Sequence, residues 1–291
     1  MSVDLKLFID CIERFSPPAS AMANDFVGVQ VGPQGSLIQK RFKVRKCAIA
    51  TCVTPQVILK AASYGANILI TYHGLLSEPI NALTDTLLDK VRLLIENKVA
   101  VYVVHTSWLT AECGVNDTVA DILGTPIAEA FNVEFEDRSV PLGRICGAGK
   151  KHDCASGRTE DDVLLSDLVE RISERLGCSD IPYVGNLYAP IQKIVILAGE
   201  YGRTEWLRLA KMRHVDTYLT GDISRAIAVL SNELRLNYVC ADHDIMESLG
   251  MRRLMQLLSI DLPEVEFTFV DNESPWKKYH SLKPPMKKSD L

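Results

Sequence analysis

The sequence has no C-x-x-C pair. Its eight cysteines, Cys11, Cys47, Cys52, Cys113, Cys146, Cys154, Cys178 and Cys240, are scattered through the chain. This argues against a zinc ribbon or a thioredoxin-type site and fits free thiols in a reducing compartment. No apolar run approaches the roughly 20 residues that span a bilayer. Residues 1–10 include acidic side chains and no long apolar core, so no secretory signal is read there. The expectation is a cytoplasmic or nuclear protein without a membrane partner. Positive charge is not in excess: 32 Lys and Arg stand against 37 Asp and Glu, a formal net charge of −5. Direct nucleic-acid binding, which needs a clustered basic surface, is therefore not expected. The one local basic excess, Lys277, Lys278, Lys283, Lys287 and Lys288, reads as a solvated tail. There is no G-x-G-x-x-G, no P-loop and no G-x-S-x-G elbow, so neither a dinucleotide site nor a serine hydrolase has support.

What remains is a chain of 291 residues, 47% apolar and 24% charged, which is ordinary globular composition. That length suits two domains or one composite α/β domain. Residues 4–15 carry Leu5, Phe8, Ile9 and Ile12 at helical spacing. Strands are predicted over 24–32, 47–53, 68–71 and 99–104, with helices over 55–64 and 83–97. Pro55 suits a helix start and Gly65 a stop. The plan then repeats. Strands are predicted over 193–199, 217–220 and 237–241, with helices over 205–213 and 224–234. Such alternation argues parallel sheets with crossover helices. The fold class is α/β: two similar lobes, 1–124 and 191–271, with mostly parallel sheets. A small α+β insert at 125–190 contains an amphipathic helix over 161–176. A strand over 265–270 closes the second lobe, and 272–291 reads as a loosely ordered tail.

Chemistry-bearing side chains gather at predicted strand ends: Tyr72-His73, His105, Asp222 and Asp242-His243. Ligands of open α/β sheets bind outside the carboxyl ends of the strands. Only six histidines exist, so three at strand ends point to one site. His243 and Glu247 fall four apart, on one face if a helix begins near Asp244. Imidazole and carboxylate so placed suit Zn, Fe, Mn or Ni. A helix cap followed by a surface glutamate fits the same spacing, with Asp242 or Asp244 as the cap. Gly114-Val115-Asn116-Asp117 reads either as a turn with a helix start or as part of a site. Gly199-Glu200-Tyr201-Gly202 lacks a phosphate-loop spacing. Cys52 and Cys240 read as inert core thiols.

Several segments together resemble the NGG-interacting factor three family, whose bacterial members are also known as GTP cyclohydrolase type two homologues. They are Asp25-Phe26-Val27-Gly28-Val29-Gln30-Val31-Gly32, Thr71-Tyr72-His73, His105-Thr106 with Gly114-Val115-Asn116-Asp117, Gly143-Arg144-Ile145, Leu219-Thr220-Gly221-Asp222, and Asp242-His243 with Glu247. The resemblance implies two α/β lobes around a central cleft holding two metal ions, often in a toroidal hexamer. The family's ligand positions fall on Tyr72, His73, His105, Leu109, His243 and Glu247. Tyr72 replaces a histidine, Leu109 replaces an aspartate, and Gly74 stands where the family has proline. Glu112 is a nearby carboxylate with nothing in the sequence to bring it in. The expectation is a degraded centre: one divalent ion (Zn, Fe or Mn) or none, held by His73, His105, His243 and Glu247. The activity so implied is metal-dependent hydrolysis of a nucleotide-like ligand, with Glu247, Asp222 and Asp242 in catalytic roles and one of the aspartates taking the proton. The competing reading is a non-catalytic scaffold or regulatory binding protein, homo-oligomeric like the family.

Overall fold

The inner strands are the short, continuous apolar runs. Ile68–Thr71, Ala100–Val103 and Thr217–Thr220 are buried at every position, as strands covered on both faces must be. The computed structural model describes residues 2–149 and 163–272. Most of the polar stretch at 149–160, the first two residues of the predicted 161–176 helix and the 273–291 part of the predicted tail lie outside the described residues.

Two sheets carry the fold. The first has strand order Glu266–Phe269, Lys46–Ala50, Ile68–Thr71, Ala100–Val103, Gly28–Val31. Its pairs are parallel except the last. The second runs Ile127–Phe135, Arg138–Gly147, Lys193–Leu197, Thr217–Thr220, Asn237–Cys240, Tyr183–Val184. Its parallel heart is the middle trio, edged by antiparallel strands. Both lobes therefore show the repeated strand–helix plan. The α+β segment at 125–190 is continuous with the second lobe, because its long hairpin and its Tyr183–Val184 strand pair into that sheet.

Helix boundaries follow local chemistry. Thr54 caps Pro55–Tyr64 by accepting from Val57 N, and Gly65, at φ +83°, ends it. The helix predicted from 161 begins at Leu165, because Leu164 is extended and bridged to Pro190. It runs on through a π turn, Ile172–Leu176.

One element joins the lobes. The helix His243–Asp261 starts beside the second sheet but packs against Lys46–Ala50, Glu266–Phe269 and the helix Val115–Leu123 of the first. It passes Val115 at Gly250, where an added Cβ would meet Val115 Cα at 2.9 Å. Trp108 Nε1 donates to the Gly250 carbonyl there at 2.9 Å. The sequence pattern places the 265–270 strand in the second lobe. This is corrected: Glu266–Phe269 pairs with Lys46–Ala50 in the first sheet. The long helix crosses back before that strand forms, and periodicity does not say which sheet a strand joins. One hydrophobic cluster runs from Val3 to Val265 through both lobes. Cys11, Cys47, Cys52, Cys113, Cys146 and Cys240 are free thiols. Among the described residues no helix is long and apolar enough to cross a membrane.

Candidate metal centre

The first lobe delivers its histidines by extending its hydrogen-bond ladder past the strand ends. His73 N donates to Thr51 O at 2.8 Å, and His105 N donates to Tyr72 O at 3.1 Å. His73 and His105 thus leave adjacent strands side by side, with ring centroids 5.3 Å apart. His105 has φ +36°, a left-handed conformation that is strained for a residue with a side chain. In the second lobe Asp242 caps the long helix by accepting from Ile245 N, so His243 is its first residue. Glu247 follows one turn on, buried at 2% exposure.

These groups converge. Glu247 Oε2 lies 2.9 Å from His73 Nε2, and Oε1 lies 2.8 Å from His243 Nε2. The donor atoms of His73, His243 and Glu247 lie within 4.8 Å of one another. Asp222 Oδ2 is 2.5 Å from His243 Nδ1, and Asp25 Oδ1 is 2.6 Å from His105 Nδ1. Each imidazole therefore faces a carboxylate, an arrangement that fixes ring orientation and tautomer in metal sites. Burial works to raise the Glu247 pKa, but hydrogen bonds from His243 and His73 prevail and hold it below the ordinary value. Burial works to lower His243, yet Asp222 and Glu247 together push it up to about 10. Asp25 is likewise held low against its burial, by His105 and Thr106.

Two imidazoles and a carboxylate are the donor set that suits zinc, iron or manganese, so these residues fit one divalent ion. It is the one such group among the described residues. His105 stands next to it but outside it. Leu109 is fully buried in the hydrophobic cluster, and Glu112 is exposed. Neither residue belongs to the group formed by His73, His243 and Glu247. Tyr72 stands edge-on to His73 and His105, with centroids 5.0 and 5.3 Å away. Burial, with Tyr201 and Glu247 nearby, raises its phenol far above the usual range, and its hydroxyl has no hydrogen-bond partner of ordinary geometry. Burial also pushes Cys52 up to about 11 and Cys240 up to about 12, which keeps both thiols protonated and inert.

Gly114-Val115-Asn116-Asp117 starts the helix Val115–Leu123, and it also joins the lobes. Asn116 Nδ2 donates to Leu109 O and Leu142 O, and Asn116 Oδ1 accepts from Ala198 N. Asp117 pairs with buried Arg144 at 2.6 Å. Arg144 also donates to the carbonyls of Thr110 and Ala111, both at 2.9 Å. Sequence reasoning gave Asp25 no role. Its one signal is its place in the segment before the Gly28–Val31 strand.

Beside the histidines lies a cleft of about 680 Å³ lined by the loops after Leu197, Thr220 and Cys240. Asp222, Asp242 and His243 face it.

The family model described as Duf34/NIF3 (NGG1p interacting factor 3) matches residues 3–275. A GTP cyclohydrolase 1 type 2 homolog from Clostridium perfringens is 28% identical over 237 residues, 81% of this chain and 83% of that protein. One from Methanocaldococcus jannaschii is 28% identical over 258 residues, 88% of this chain and 95% of that one. Among solved structures, a Bacillus cereus protein related to NIF3 superposes with a TM-score of 0.78 at 19% identity, covering 96% of this chain and 99% of its own. Reduced HcgD from Methanocaldococcus jannaschii gives 0.76 at 24% identity, covering 92% and 98%.

Proposed function

The chain belongs to the Duf34/NIF3 family, and from that premise we propose that it binds one divalent ion (zinc, iron or manganese) and acts as a metal-dependent hydrolase. The observation that carries this is the Glu247 carboxylate, buried between two imidazoles from different lobes. Buried ionised groups are retained where they are paired or coordinate metals. His73 Nε2, His243 Nε2 and a Glu247 oxygen would hold the ion, with His105 beside them. An ion so held lowers the pKa of its bound water toward neutrality.

The protein's own part is positional and acid–base. Asp222 keeps the proton on His243 Nδ1, so Nε2 is the nitrogen turned to Glu247. Asp25 does the same for His105. Asp222 and Asp242 both face the cleft, where a carboxylate can take a proton from water. Assembly into a homo-oligomer, a hexamer by resemblance, belongs to the same proposal; light scattering tests it, with the mass of six chains as the expected result and the mass of one chain overturning it.

Elemental mass spectrometry on untagged protein tests the ion. One metal per chain, absent from Glu247→Ala, is the expected result. Two per chain means a ligand replaces Leu109. None, even after incubation with Zn, Mn and Fe salts, overturns the hydrolase. The second reading, a non-catalytic scaffold, would then stand, and the buried Leu109 is the observation in its favour.

A further inference from the structure

The cleft that opens on His243 differs in character from a phosphate pocket. Asp180, Glu200, Asp222, Asp242 and Asp244 line it, and no lysine or arginine is among its described lining residues. Glu200 and Asp222 are exposed, and Asp242 and Asp244 are half-buried, so these carboxylates bear on whatever enters. Ile223, Ile227 and Pro182 give the wall an apolar part, beside the polar Ser224 and His243. The helix Arg225–Glu233, whose N-terminus could otherwise attract an anion, has Ser224 filling its cap by accepting from Ile227 N.

We propose, resting on the site reading above, that the ligand class of this cleft is an organic cation: a protonated amine or amidine carried on an apolar body. The metal group fixes where chemistry occurs, and the cleft walls fix what is admitted. Acidic walls around a concave, partly apolar space focus a negative potential into it. An ammonium group gains from every one of these carboxylates, while the apolar body covers Ile223 and Ile227. A triphosphate meets five carboxylates, and the one cationic side chain among the described lining residues, His243, is already paired with Asp222 and Glu247. A divalent ion on His73, His243 and Glu247 would neutralise part of that field, but of these three residues His243 alone lines the cleft. The ligand expected from the family's name, a free nucleotide, is thereby disfavoured, although an uncharged or protonated heterocycle is not.

The experiment is titration calorimetry of the full-length protein with three probes of similar shape: phenethylamine, 2-phenylethanol and phenyl phosphate, with GTP as a fourth. Each is run on chelator-treated and on zinc-loaded protein, at low and at high salt. The amine is expected to bind at least about tenfold more tightly than the alcohol, a preference that shrinks as salt screens the field. Phenyl phosphate and GTP are expected to bind more weakly than the amine to metal-free protein. The double variant Glu200→Gln, Asp244→Asn should lose most of the amine-over-alcohol ratio while keeping its melting temperature and zinc content. Equal affinity for amine and alcohol overturns the assignment. So does tighter binding of GTP or phenyl phosphate to metal-free protein, or an amine without measurable binding at about 10 mM. The two readings fail separately. Loss of zinc binding with the amine preference intact sinks the metal centre alone. A normal zinc content without the preference sinks the cleft assignment alone.

Discussion

Glu247 is 2% exposed and still ionised, because each of its oxygens faces an imidazole nitrogen. Without metal, this makes stability depend on pH in a definite direction. His243 is raised from 6.5 to about 10, so its contribution is complete below pH 6.5 and is lost as pH rises to about 10. Glu247 is lowered from 4.5, so its contribution is present above pH 4.5 and is lost as pH falls through its depressed value. Chelator-treated protein should therefore melt highest between about pH 4.5 and 6.5 and less stably on either side. His243→Gln should flatten the alkaline limb, and thermal melts across pH read this directly. An alkaline limb unchanged in the variant refutes the pairing. At this scale the sequence was informative where a residue type is rare. Six histidines, three at strand ends, pointed to the centre. Asp25 was not legible as a partner, because its carboxylate reaches His105 across 80 residues through the fold. Leu109 stands at a ligand position only by the family resemblance, while its burial in the core appears only in three dimensions.

Among the elements, the helix His243–Asp261 is what brings the two halves of the site together. Its approach to Val115–Leu123 depends on Gly250, whose missing side chain leaves room for Val115. A Cβ there would lie 2.7 Å from Val115 Cγ2 and 2.9 Å from its Cα, and the backbone atom cannot rotate away. Gly250→Val should therefore destabilise by about 1–3 kcal/mol through overpacking, despite improved helix propensity. Because Glu247 lies one turn earlier, the same variant should weaken zinc binding. Denaturant melts and zinc titration check both. A stability gain with normal zinc affinity means that the crossing is looser than described. Of this helix only a start near Asp244 was legible, as a condition of the His243–Glu247 spacing, and its run to Asp261 was not. Nor was its destination, because its apolar residues pack on two sides and leave no single stripe to read. The parallel strands were legible as unbroken apolar runs. The pairing of Glu266–Phe269 with Lys46–Ala50 was not, since alternation states that a strand is half-buried and not beside which neighbour.

For the whole molecule, the question is whether two lobes behave as two folding units. Their sequence plan suggests so, each repeating strand, helix, strand. Their contacts argue otherwise. Asn116 bridges Leu109 to Leu142 and Ala198, joining two helices of the first lobe to the second sheet through one buried amide. Trp108 is tied to Gly250, and the last strand returns to the first sheet. The hydrophobic cluster is continuous across both lobes, so opening one exposes apolar surface on the other. Calorimetry should then show one transition with equal calorimetric and van't Hoff enthalpies, even in a chain of 291 residues. Metal sharpens the test, because His73 belongs to one lobe and His243 and Glu247 to the connecting helix. Zinc at about 100 times its dissociation constant adds about 2.7 kcal/mol to any state that holds the whole site. If the lobes unfold together, the single peak moves as one. If they unfold apart, the site is lost with the first lobe to open, and zinc shifts only that peak. A second peak indifferent to zinc would show that the joint at Asn116 and Gly250 is too weak to make the lobes one cooperative unit.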